Sequence, residues 1–258
     1  MTPFRQGERQ TFVELLCDGY FVENIGSMKA LLRLMDEKTS QHSGRRLLAT
    51  LDDFGQACYT SGHSIDTHEL DSTEGHDLSG VDAAAFEDGE HLGYLTTASE
   101  FFIRRANLTR KAAAVSFADV RGEMFWGADK GDGRNFFELN AEPDTILDEE
   151  IYIQAVPVDY AYEAICAFPN GYFSGDLSPM QVFAVSRRFE ETYGYSLFGI
   201  GASYVGLRRT ADMSKTEAQA MAADFLSLHQ GADDARLQGR IEEIIRDRPI
   251  FLFCYATG

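Results

Sequence analysis

Residues Phe168–Arg209 read FPNGYFSGDLSPMQVFAVSRRFEETYGYSLFGIGASYVGLRR and pass through loop, helix and strand in succession. Pro169-Asn170-Gly171 is a turn. Ser178-Pro179-Met180-Gln181 then joins an N-cap serine, proline at the first helical position and a glutamine able to close a capping box. The apolar residues Met180, Phe183, Ala184 and Phe189 carry the helix to Thr192, and Gly194 is placed to end it in the left-handed conformation. Leu197–Leu207 reads as a strand thinned by Gly199, Gly201 and Gly206, where another backbone or a ligand could approach. The fold class that follows is α+β, a mixed sheet packed with several helices.

The elements on either side agree. Downstream, Ser214-Lys215-Thr216-Glu217 is a capping box opening a helix with Ala218, Met221, Phe225 and Leu228 on one side, with His229 in its last turn in a structural role. A further helix over Asp234–Asp247 presents Leu237, Ile241, Ile244 and Ile245, Pro249 stops it, and IFLFCY closes the chain as a buried strand. Upstream, Tyr160–Phe168 is a short apolar helix, and Ile151–Val158, IYIQAVPV, has the best strand alternation in the chain. A boundary is placed there, between an N-terminal α+β region, 1–150, and a C-terminal α+β domain, 151–258.

The first region is harder to divide. Helices are expected over Arg9–Cys17 and Ser27–Lys38, with Ser27 as N-cap, and a strand over Arg45–Leu51. Residues 61–80, SGHSIDTHELDSTEGHDLSG, have neither helical nor strand period and read as a long acidic loop. Thr97-Ala98-Ser99-Glu100 is a capping box for a helix ending near Asn107. Thr109–Val120 favours helix in its first turns only. EMFWG and RNFFEL, between Glu123 and Leu139, read as a hairpin about a turn at Ala128–Gly133. Gly19-Tyr20-Phe21 with Met28 recurs as Gly171-Tyr172-Phe173 with Met180 at the same separation, which raises the expectation of two related halves.

Charge is informative by position. The net is -18 over 258 residues, yet no Lys or Arg lies between Arg46 and Arg104, where twelve acids occur, or between Arg134 and Arg187, where nine occur. The rest of the chain holds 20 acids against 23 bases and is slightly basic. An acidic field repels phosphate backbones and anionic lipid, so neither nucleic acid nor membrane is expected as a partner. It suits a cation or a basic protein partner, and it also reads as a solvated acidic face that aids solubility. No run of about 18 apolar residues is present, and the N-terminus lacks a signal-peptide pattern, so a cytoplasmic protein is expected. Cys17, Cys58, Cys166 and Cys254 are widely spaced and read as reduced thiols, buried like small hydrophobes.

Catalytic motifs fail on residue or context. Gly199-Ile-Gly201-Ala-Ser-Tyr204 has Tyr where a dinucleotide fingerprint requires its third glycine, and no helix follows. Gly201-Ala-Ser203-Tyr-Val-Gly206 is one residue too long for a nucleophile elbow. The acidic loop offers His63, Asp66, His68 and His76 as candidate metal ligands, since imidazole and carboxylate are what zinc, manganese or iron take. Their spacing matches no known ligand cadence, and no cofactor is expected. The Ala128–Gly133 turn offers Asp129, Asp132 and Asn135, but not at calcium-loop spacing.

Residues 156–258 resemble the bacterial domain-of-unknown-function 4253 family. Val156-Pro157, the segment FPNGYFSGDLSP, the helix ending in Glu191-Thr192-Tyr193-Gly194, the strand after it, the Lys215-Thr216-Glu217-Ala218 helix start and the closing IFLFCY carry the resemblance. Tyr172 and Tyr255 stand where that pattern has tryptophan. The resemblance implies a compact bacterial α+β domain without assigned chemistry. Two functions are left to weigh. One is a non-enzymatic, immunity-type binding protein that sets an acidic surface against a basic protein, with Asn170, Gly171, Tyr172 and Asp176 of the exposed turn as candidate binding residues. The other is a metal-assisted hydrolase built on the histidine-containing loop.

Overall fold

Glu150–Val156 is the strand about which the sheet is assembled. Its alternation sends Ile151, Ile153 and Ala155 to one apolar cluster and Tyr152 and Val156 to another, all buried, because helical layers cover both faces. The computed structural model describes residues 2–3, 15–126, 135–232 and 235–256. The main sheet contains β1 (Thr2–Pro3), β2 (Gly19–Glu23), β3 (Arg46–Ala49), β4 (Glu150–Val156), β5 (Ser196–Ile200), β6 (Tyr204–Arg208) and β7 (Ile250–Cys254), in the order β1-β2-β4-β3-β5-β6-β7. Neighbours are antiparallel except β3 and β5, which are parallel and registered through Ala49 and Gly199. Strands from residues 1–150 and 151–258 thus interleave in one mixed sheet.

The helices are α1 (Met28–Thr39), α2 (Phe54–Thr67), α3 (Phe101–Ala112), α4 (Phe136–Ala141), α5 (Pro179–Tyr193), α6 (Lys215–Ser227) and α7 (Ala235–Asp247). Met28, Leu31 and Met35 of α1 and Leu139 of α4 cover one face of the sheet, and the other face is covered from α2, α3, α5, α6 and α7. The α+β class expected from sequence is the class observed. Ser27, Ser178 and Ser214 cap α1, α5 and α6, the last two within full capping boxes, and Gly194 ends α5 at φ 69°. The Thr97–Glu100 box opens a 3-10 turn that leads into α3. Cys17, Cys58 and Cys166 are buried and Cys254 is partly buried.

Several expectations are corrected. Residues 61–67 belong to α2, so the acidic loop begins only beyond it. The hairpin over Glu123–Leu139 does not form: Met124–Phe125 pairs in parallel with His229–Gln230, and Asn135 caps α4 by accepting from the Phe137 and Glu138 amides. The turn between them, with Asp129 and Asp132, lies outside the described residues, as does most of Arg9–Cys17. Helix α3 runs on to Ala112, Tyr160–Phe168 is mostly a 3-10 helix (Ala161–Ala167), and Leu197–Leu207 is the hairpin β5–β6. Gly19-Tyr20-Phe21 lies in β2 whereas Gly171-Tyr172-Phe173 precedes α5 as irregular chain, so the matched tripeptides adopt different structures.

The edge strand β7 is guarded. The buried Asn140 amide donates to Leu252 O (2.8 Å) and accepts from Leu252 N (2.9 Å), giving the strand the two bonds a further strand would supply. Among the described residues no helix is long and apolar enough to cross a membrane.

Candidate functional site

Parallel β3 and β5 release their chains at the same edge of the sheet. Beyond β3 the chain passes through Asp52 and Asp53 into α2, where Asp53, at φ 35°, caps the helix by accepting from Gln56 N. Beyond β5 it turns at Gly201-Ala202-Ser203 into β6. Asp52 joins the two exits: its carboxylate accepts from Ser203 N (2.9 Å) and Tyr204 N (3.2 Å), and its carbonyl accepts from Ala202 N (3.2 Å). A β-carbon on Gly201 would lie 1.9 Å from Asp52 Oδ1, so glycine there permits the close approach. Burial raises the Asp52 carboxyl from its ordinary value to about 7, an effect the two amides only partly offset.

The turn that opens the Phe168–Arg209 stretch is fixed to the same edge. Asn170, 1% exposed, donates to Ala57 O (2.9 Å) and reaches Gly201 O (3.5 Å), and it accepts from Gly171 N. Gly171 has φ 109°, and a β-carbon there would lie 2.0 Å from Leu177 O. Tyr255 follows β7 and donates its hydroxyl to Gly201 O (2.8 Å) and Ala202 O (3.1 Å), while its carbonyl accepts from Leu177 N. Asp176 accepts from Phe173 N (3.0 Å), closing the turn on itself.

Above this floor lies a row of rings. Tyr59 meets His63 edge-on at 4.4 Å between centroids, His63 stacks on Tyr172 at 4.8 Å and 25°, and Tyr172 lies 5.2 Å from Phe173. Tyr59, Tyr172 and Phe173 are 53%, 37% and 45% exposed. Tyr59, His63 and the exposed Asp66 follow one another at i, i+4 and i+7 along the outer face of α2. Exposed aromatic faces flanked by carboxylates are the surroundings in which guanidinium and ammonium groups are held, by cation–π attraction and ion pairing.

The two sets of residues expected from sequence therefore meet in one place, through His63 and Tyr172. The remaining candidate ligands go elsewhere. His68 is partly buried, and burial together with Lys111 lowers its pKa. His76 bonds Asn107 Oδ1 (3.1 Å), and its ring meets Phe102 edge-on. Among the described residues no three His, Cys, Asp or Glu side chains converge as a metal site would require. Asp52, Tyr59 and Tyr255 were not among the expected site residues. Tyr59 could be found only by reading α2 as a helix, while Asp52 and Tyr255 join the site through contacts made over long separations.

No family model, curated protein or solved structure matches the chain.

Proposed function

We propose that the protein is a non-enzymatic binding protein of immunity type, which docks a basic protein partner on the α2 face formed by Tyr59, His63, Asp66, Tyr172 and Phe173. The observation that carries this reading is the row of exposed rings on and beside α2, a helix that lies in the stretch of sequence without bases: of the twelve acids between Arg46 and Arg104, nine are exposed. Aromatic residues supply contact area at low entropy cost, and surrounding carboxylates steer a cationic partner and reject an anionic one. Asn170, Gly171 and Asp176 act as the support that fixes Tyr172. Tyr172 and Tyr255, which replace tryptophans of the domain-of-unknown-function 4253 pattern, occupy the rim and floor of the same site, and the assignment of residues 156–258 to that family is part of this proposal. The metal-assisted hydrolase reading has no comparable observation, because its histidines diverge.

The test is capture from a bacterial lysate on the immobilised chain at low and high ionic strength, beside a Tyr59→Ala/Tyr172→Ala variant. A basic protein retained at low salt, released steeply as salt rises and lost by the variant is the expected result. A partner held equally at both salts, or retained fully by the variant, refutes the reading, as does the absence of any partner.

A further inference from the structure

The opposite edge of the same two strands is open. β3 and β5 are registered at Ala49 and Gly199, and toward their starts they enclose a cavity of about 330 Å³. Arg45 and Arg46 line it from the start of β3, Arg208 from the end of β6, Thr39 from the end of α1 and Ser196 from the start of β5, with Leu47 and Leu197 as apolar wall. In a chain of net charge -18, three guanidinium groups gather here, and each belongs to the slightly basic part of the sequence outside the base-free stretches.

Each arginine is anchored by one side of its fork. Arg46 Nε and Nη2 donate to Asp159 O (2.8 and 2.5 Å), Arg45 Nη1 donates to Ala155 O (3.1 Å) and lies 3.7 Å from the exposed Asp18 carboxylate, and Arg208 Nη1 pairs with the exposed Asp36 at 2.7 Å, two surface ion pairs that solvent screens. A guanidinium has five donors, so such anchoring orients the group while further donors remain for a ligand. Glu190 is the one acid lining the cavity; its two oxygens accept from Ala161 N (3.2 Å) and Tyr162 N (2.9 Å), which turns them toward the backbone, and burial, only partly offset by those bonds and by the Arg46 charge, raises its pKa.

We propose that this cleft binds a small organic oxyanion, a phosphate monoester or a dicarboxylate, with its charged group on Arg45, Arg46 and Arg208 and its carbon frame against Leu47 and Leu197. Its size is that of small-ligand pockets, and planar forks match both kinds of oxyanion. The proposal does not depend on the acidic face.

Calorimetric titration of the full chain with inorganic phosphate, glycerol 3-phosphate and succinate tests it. At least one ligand should saturate with Kd below about 1 mM, and the better of the two organic anions identifies the source of the oxyanion. An Arg45→Gln/Arg46→Gln variant should bind at least about tenfold more weakly. Should that variant not fold, Arg208→Lys, which keeps the charge but loses the fork, should weaken binding by about threefold or more. No saturable binding by any of the three anions overturns the proposal, and so does an affinity that the arginine variants leave unchanged.

Discussion

Two edges of one strand pair have opposite fates. At the exit edge of β3 and β5, Asp52, Gly201, Asn170 and Tyr255 interlock the chain ends, and the surface above is aromatic and acidic. At the entry edge the same strands separate around a cavity lined by arginines. The difference shows how one parallel pair in an otherwise antiparallel sheet can present two chemically distinct surfaces: at one edge polar side chains bond across from one strand's exit to the other's, whereas at the other Arg45, Arg46 and Glu190 bond to the backbone of flanking segments.

If the exit edge is a close-packed lock and the entry edge is not, substitutions should separate the two. Gly201→Ala should have the largest effect, a loss of about 3 kcal/mol in chemical denaturation, since its methyl group would meet both the Asp52 carboxylate and the Asp52 backbone nitrogen. Asn170→Ala follows at about 2 kcal/mol, because it takes the acceptor from the buried Gly171 amide and one donor from the Ala57 carbonyl. Its loss should also free Tyr172 from His63, seen as a change in near-ultraviolet circular dichroism.

Asp52 adds a pH signature to the closed edge. A carboxyl raised to about 7 in the folded chain holds a proton that the unfolded chain releases near its ordinary value, so between those two values the native state binds more protons. Stability contributed by this group therefore falls as pH rises through that window. Denaturation at about pH 5 and about pH 8 should show a larger loss for the natural chain than for Asp52→Asn. Equal losses would contradict a raised Asp52 carboxyl. At the open edge, Arg46→Gln should change stability by less than about 1 kcal/mol, because its exposed side chain makes only solvent-screened contacts.

Local signals were legible in the sequence where they were chemical and short-range. Ser27, Ser178, Ser214 and Gly194 mark helix ends by side-chain and backbone geometry alone, and Ile151–Val156 marks a strand by alternation. Helix α2 leaves no apolar period in the sequence because its buried face is built from the small or polar Ala57, Cys58, Thr60, Ser61 and Ser64, with Ile65 its one large aliphatic residue. Phe136-Phe137 has strand-like composition, yet Asn135 and Glu138 around it form a capping box, and the helix prevails. The β5–β6 turn and the site itself depend on Asp52, Asn170 and Tyr255 reaching across separations of 151, 113 and 54 residues, which no local pattern encodes. Half of the site was visible as His63 and as Asn170–Asp176; that these belong together was not.

The proposed docking surface is the row of rings on α2 and the turn beside it. Hydrogen exchange of the chain alone and bound to its captured partner tests this most directly, since protection reports where backbone opening is suppressed. New protection is expected over residues 56–66 and 170–176, with residues 45–47 and 206–210 at the opposite edge unchanged. Protection at the arginine cleft instead, or none on α2 and the turn, would contradict it.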